Sequence, residues 1–160
     1  HALRPHKDGA FDGMVGPVVV ELGSGVGANL SRIPQGVPLI GVEPTVEMHD
    51  RLREQAARHD VPLELVAGVA EELPLADGSV DDVLCSLVLC TVTDIDRTLA
   101  EVKRVLRPGG RFRFVEHIAA PPWSPRRWLQ VALRRPWGWI FQGCDPARET
   151  ERHLTAAGFT

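Results

Sequence analysis

At 160 residues with 44% hydrophobic content, the chain can bury a core of its own and is read as one domain, residues 1–160. Its 18 basic and 21 acidic side chains leave a net charge of -3, which gives no basic field for nucleic acid and argues against a polyanionic partner. Three cysteines without paired ligand spacing argue for free thiols, no metal and a reducing, cytoplasmic setting, and no apolar run or signal peptide marks a bilayer span.

Residues 1–17 hold Arg4, Lys7, Asp8, three glycines and two prolines, and read as a loose lead-in able to cover a ligand site. The chain begins at His1, which leaves room for upstream sequence. Val18, Val19 and Val20 are β-branched and uncharged, as suits a strand buried on both faces of a parallel sheet. That strand breaks into Glu21-Leu22-Gly23-Ser24-Gly25-Val26-Gly27. Without Cβ atoms the three glycines accept positive φ and let a ligand lie against the backbone, while N–H groups opening the next helix point at it. A nucleotide-like molecule suits such a loop. The helix, over residues 28–33, is expected to stop at Pro34 and Gly36. Leu39 to Val42 reads as the second strand, and Glu43 stands at its carboxyl end, twenty positions past Gly23 and before the turn Pro44-Thr45. A carboxylate there accepts hydrogen bonds from both hydroxyls of a ribose.

Residues 46–59 make a charged amphipathic helix with Met48, Leu52 and Ala56 on one face, and 63–67 a third strand followed by a loop over 68–75. After the turn 76–79, a fourth strand is expected over 80–90. Asp94 caps a helix over 95–106, and Arg107-Pro108-Gly109-Gly110 turns the chain into a fifth strand at 111–115. That strand delivers Glu116 and His117 to the crevice, where a neutral imidazole takes a proton from a thiol or hydroxyl. Adjacent strand residues point to opposite faces, so these two are not expected to bond each other. Ser124 and Pro125 open a helix over 126–134, and all four tryptophans, Trp123, Trp128, Trp137 and Trp139, fall within an inserted stretch at 121–144. Arg126, Arg127, Arg134 and Arg135 flank them, so a peripheral helix on anionic lipid is a second, less favoured reading. Asp145 and Pro146 open a last helix over 148–157, stopped by Gly158.

Two nucleotide chemistries fit the glycine loop. Gly23-Ser24-Gly25-Val26-Gly27-Ala28 with Glu43 satisfies the dinucleotide fingerprint, so an NAD(P)-dependent oxidoreductase is the alternative, although the chain has no tyrosine for a Tyr-x-x-x-Lys pair. Glu21 ahead of the glycines makes Glu-x-Gly-x-Gly-x-Gly, which resembles the first motif of class I S-adenosylmethionine methyltransferases. Leu106-Arg107-Pro108-Gly109-Gly110 resembles the same family, and Val69-Ala70-Glu71-Glu72-Leu73-Pro74 is similar to its adenine-side stretch, with valine where aspartate is usual.

The resemblance implies a Rossmann-like α/β fold, a doubly wound, mostly parallel sheet with helices on both faces, here short of the family's terminal antiparallel hairpin. It implies S-adenosylmethionine as cofactor and S-adenosylhomocysteine as product. The implied cofactor residues are Glu21, Gly23, Ser24, Gly25, Gly27, Glu43, Pro44, Val69, Ala70, Glu71, Ser86 and Leu87. Cys90 would lie near the reaction centre, with Trp123, Trp128, Trp137 and Trp139 around a small, apolar acceptor bearing a thiol or hydroxyl. A narrower likeness, in Leu87-Val88-Leu89-Cys90, Glu116-His117-Ile118-Ala119 and Gly143-Cys144 with Arg148-Glu149, is to a methyltransferase-like family whose animal members are membrane-associated alkyl thiol methyltransferases. A non-catalytic scaffold is the reading left if no cofactor binds.

Overall fold

Among the described residues five parallel strands, ordered β3-β2-β1-β4-β5, form one sheet from β1 (Val19–Leu22), β2 (Leu39–Val42), β3 (Leu63–Val66), β4 (Val80–Ser86) and β5 (Leu106–Val115). The computed structural model describes residues 9–14, 16–116, 119–140 and 143–159. Helices α1 (His49–Arg58), α2 (Ile95–Val105), α3 (Pro125–Ile140) and α4 (Thr150–Ala156) complete the framework. Side chains along β1 alternate between two cores, as the two-residue strand period requires. Val19 meets Phe11, Leu30, Leu52 and Ala56, whereas Val20 and Leu22 meet Leu99, Val102 and Leu154. Helices therefore cover both faces, and all four β1 residues are buried. Register sets Leu22 beside Val42 and Cys85, so β1, β2 and β4 end on one rim, where ligands of open α/β sheets bind.

Several elements differ from their sequence reading. Between Gly27 and Pro34 only a 3-10 turn forms, at Leu30–Arg32, because proline stops the helix before it can grow. Leu106 pairs with Val80 and Arg111 with Asp82, so residues 107–110 bulge out within β5 instead of preceding it. Strand β4 ends at Ser86, where Leu87 takes a φ of 61°. The helix after Ser124 runs on through Pro136 to Ile140, past its expected end at Arg134, whose Nη2 lies 2.6 Å from Asp145 Oδ2. Asp145 does not cap the last helix. Its Oδ1 accepts the Ala147 N–H at 3.0 Å in a local turn, and α4 starts at Thr150.

The lead-in is not loose where it is described. Phe11 and Met14 are buried in the core beside Ile33 and Leu39. Arg113 donates to the carbonyls of Ala10, Asp12 and Gly13 at 3.3, 2.6 and 2.8 Å.

A second arginine fastens the segment after β3. Arg104 donates to the carbonyls of Leu73 and Leu75 at 2.9 and 2.8 Å and to Glu101 Oε1 at 2.7 Å, while the Leu73 N–H donates to Glu101 Oε2 at 2.7 Å. Hydrogen bonding from Arg104 pulls the Glu101 carboxyl down from 4.5 to about 2. A depressed carboxyl contributes stability above its ordinary pKa and loses it as pH falls through the folded value. Wild type is therefore expected to exceed Glu101→Gln in urea stability at neutral pH, and the gap is expected to close between 4.5 and about 2. A gap independent of pH would show that the carboxylate charge is not what holds the segment.

Candidate functional site

Loops leaving β1 to β4 enclose a cavity of about 860 Å³ at the carboxyl rim of the sheet. The glycine loop forms its floor. Gly23 and Gly25 have φ of 59° and 54°, the left-handed region that L side chains rarely adopt. At Gly23 space matters too, since a Cβ would stand 2.5 Å from Val88 Cγ2, where the loops after β1 and β4 touch.

Glu43, at 5% exposure, holds this floor to β2. Its Oε2 accepts the Gly25 N–H and its Oε1 the Thr45 N–H, both at 2.8 Å, while its carbonyl oxygen lies 2.9 Å from His49 Nε2. Each carboxylate oxygen has capacity for a further donor. Beyond β3, Val69, Ala70 and Glu71 form the next wall, and Glu71 Oε1 accepts the Thr93 N–H at 2.8 Å, joining it to the loop after β4.

Of the cofactor residues expected from sequence, Gly23, Gly25, Glu43, Pro44, Val69, Ala70, Glu71, Ser86 and Leu87 line the cavity. Glu21, Ser24 and Gly27 do not; they shape the loop from behind. Glu21, at 1% exposure, accepts from Asn29 Nδ2 at 2.7 Å, and the Ser24 hydroxyl donates to the Glu21 carbonyl at 3.2 Å. At Gly27 the place of a Cβ is filled, with Leu30 Cδ1 at 2.4 Å. Thr45, Met48, Thr91 and Thr93 also line the cavity and were missed. Met48 carried the one visible signal, its place at the amino end of an apolar helix face beside the Glu43 turn.

Leu87 lies in the left-handed region, a costly place for leucine, and its turn aims the next two amides at β5. Glu116 Oε1 accepts the N–H groups of Val88 and Leu89 at 2.7 and 2.9 Å and the Cys85 thiol at 3.3 Å. Burial pushes the Glu116 carboxyl up, opposed by those amides, and burial together with the Glu116 charge pushes the Cys85 thiol up. Glu116, an acid–base candidate from sequence, is not on the cavity wall; its carboxylate supports the loop that is. His117 lies outside the described residues. Among the described residues, Ser86 Oγ is buried without a hydrogen-bond partner beside the cavity, an atom that a polar ligand can satisfy.

The far end of the cavity is apolar and thiol-bearing, with Cys90, Val92, Trp137, Ile140 and Cys144. Only Trp137 of the four tryptophans reaches it. Trp123, Trp128 and Trp139 are 83%, 73% and 88% exposed, which corrects their assignment to the acceptor pocket. The cause is the set of contacts that orients α3. Arg127 donates to the Ala147 carbonyl at 2.6 Å, Gln130 Oε1 accepts the Ala120 N–H at 2.8 Å, and Arg134 pairs with Asp145. Those residues share one helical face with Trp137, so Trp128 and Trp139 turn outward.

The floor, the acidic residue after β2 and the loop after β4 fit a nucleoside cofactor with an acceptor beside it. A family model described as a methyltransferase domain matches residues 20–114. The human thiol S-methyltransferase TMT1A is 39% identical over 145 residues, covering 89% of this chain and 59% of that protein. The chain thus spans less than two thirds of the relative's length. Among solved structures, the YcgJ protein of Bacillus subtilis is 25% identical with a TM-score of 0.76, covering 96% of this chain and 68% of its own. An S-adenosylmethionine-dependent methyltransferase of Thermotoga maritima is 25% identical with a TM-score of 0.68, covering 96% and 69%. Strand order, cavity and matches agree: the chain belongs to the methyltransferase-domain family of S-adenosylmethionine-dependent enzymes.

Proposed function

We propose that the chain transfers the methyl group of S-adenosylmethionine to a small apolar thiol. The observation that carries this reading is one cavity with two chemically distinct ends, Gly25 and Glu43 at one and Cys90, Trp137, Ile140 and Cys144 at the other. S-adenosylmethionine supplies, when bound, an electrophilic methyl group on a cationic sulfur. The chain supplies position. Glu43 would hold the ribose hydroxyls and the 69–71 wall would border the adenine, with Ser86 and Leu87 lining the same cavity.

At the acceptor end Val92 and Ile140 offer apolar surface against which an apolar thiol would be held. Good alignment of two reactants lowers a barrier by up to roughly 7–11 kcal/mol, so positioning accounts for much of the expected rate. A thiol must lose its proton to become the nucleophilic thiolate; His117 accepts it in this reading. The identity of the thiol acceptor is supported by the relative's name, thiol S-methyltransferase.

The test incubates the purified chain with S-adenosylmethionine and either an alkyl thiol or the alcohol of equal length, with S-adenosylhomocysteine and NADH titrated in parallel. A methyl thioether, no ether, and binding of S-adenosylhomocysteine alone are expected. His117→Ala is expected to lower kcat about 100-fold with cofactor affinity retained, within the usual contribution of a general base. Retention of NADH in place of S-adenosylhomocysteine overturns the reading, and methylation of the alcohol alone overturns the thiol acceptor.

A further inference from the structure

Cys90 and Cys144 are far apart in sequence, yet their sulfurs lie 3.2 Å apart, buried at the acceptor end of the cavity. The segments that carry them are fastened to each other by backbone and side chain. The Asp145 N–H donates to the Cys90 carbonyl at 2.9 Å, and Arg148 Nη1 donates to the carbonyls of Leu89 and Val92 at 2.8 and 2.6 Å. A disulfide has its sulfurs about 2.05 Å apart, so closing this pair needs an approach of little more than about 1 Å between segments already locked together. The third thiol, Cys85, is engaged separately by Glu116 at 3.3 Å.

We propose that Cys90 and Cys144 form a dithiol–disulfide couple that reacts with a low-molecular-weight disulfide entering the cavity. The two thiols have different parts. Cys144, at 7% exposure against 1% for Cys90, is the one an entering reagent meets first. Cys90 faces the Leu87 carbonyl at 3.5 Å, and burial and the Cys144 hydrogen bond push its pKa up, so it keeps its proton until the second step.

In the first step Cys144 loses its proton and its sulfur attacks one sulfur of the reagent. The reagent's S–S bond breaks, and one half leaves as a thiolate that takes up that proton. In the second, Cys90 loses its proton and attacks Cys144 Sγ in the mixed disulfide, and the other half leaves and is protonated in turn. Two protein thiols are thereby oxidised by two electrons and one disulfide is reduced to two thiols. That the released thiol stands where an acceptor is methylated rests on the functional reading above; the couple itself does not.

The test uses the reduced full chain with bis(2-hydroxyethyl) disulfide and no methyl donor, followed by alkylation and peptide mapping. Wild type is expected to show residues 90 and 144 cross-linked, a mass loss of about 2 Da, Cys85 alkylated and about two equivalents of 2-mercaptoethanol released. Cys90→Ser is expected to stop at a stable mixed disulfide on Cys144, with about one equivalent released. A stable mixed disulfide in wild type, or a cross-link that includes Cys85, overturns the proposal.

Phenylarsine oxide reads the pair without oxidation. One arsenical per chain, resistant to monothiols, displaced by dithiothreitol and lost in Cys90→Ser or Cys144→Ser, is expected for neighbouring thiols; retention by both variants overturns the pairing. Because S-adenosylhomocysteine titration of the same samples tests the methyltransferase reading separately, failure of one reading is distinguishable from failure of the other.

Discussion

Arg113→Ala is expected to destabilise the folded chain by about 3–5 kcal/mol, the usual consequence of stripping one partner from a buried ion pair. Arg113 Nε lies 2.6 Å from Asp82 Oδ1, and the two side chains are only 10% and 3% exposed. Asp82 sits in β4 with Val19 of β1 on one side and Arg111 of β5 on the other, so water has no easy approach to an abandoned carboxylate. The same guanidinium also satisfies three carbonyls of the lead-in, those of Ala10, Asp12 and Gly13. Without it, amide exchange across residues 9–14 should rise along with the fall in urea midpoint. Arg113→Lys should recover only part of the loss, because an ammonium cannot span the carboxylate and the carbonyls in one plane. Replacing Arg113 and Asp82 together by methionine and leucine should cost less than Arg113→Ala alone, since no charge is then left buried. A loss below about 1 kcal/mol for Arg113→Ala, typical of exposed pairs, would mean that Asp82 finds water or another donor.

This pair marks the boundary of what the sequence made legible. Local signals carried through: the valine run became the buried β1, Asp94 caps α2 by accepting the Arg97 N–H at 3.0 Å, and the spacing from Gly23 to Glu43 brought both to one cavity. Each depends on chemistry within a few residues or on the regular alternation of strand and helix. Arg113 and Asp82 are 31 positions apart and read separately as residues of two expected strands; nothing local selects them as partners. The tryptophans failed for the same reason. Their clustering was visible, but the face of α3 that turns inward is set by Arg127 and Arg134 reaching Glu149 and Asp145 on a later segment. Glu116 was found for its position at a strand end, and its supporting role became visible only with the Val88 and Leu89 amides beside it.

Glu43→Ala and Gly25→Val are each expected to weaken S-adenosylhomocysteine binding by about 10- to 150-fold, by different routes. A hydrogen bond to a charged group is worth about 1.5–3 kcal/mol, which is that range in affinity. Glu43→Ala removes the acceptor offered to a ribose and also releases the N–H groups of Gly25 and Thr45, so the floor loosens as the ligand contact is lost. Glu43→Gln keeps a carbonyl acceptor and should fall between wild type and alanine. At Gly25 the fold has room, since nothing lies closer than 4.0 Å to an added Cβ, but the φ of 54° opposes valine by roughly 1–3 kcal/mol and its methyl groups enter the space left for the ligand. Gly23→Val provides the contrast: its Cβ meets Val88 Cγ2 at 2.5 Å, so stability should fall with binding. Calorimetric titration together with a urea midpoint for each variant separates these routes. Gly25→Val with wild-type affinity would place the nucleoside away from the glycine floor, and Glu43→Ala with wild-type affinity would leave the ribose without the acceptor assigned to it. Loss of affinity in both, with the urea midpoint of Gly25→Val lowered by no more than that backbone strain and less than that of Gly23→Val, ties the cofactor to the glycine loop after β1 and the acid after β2.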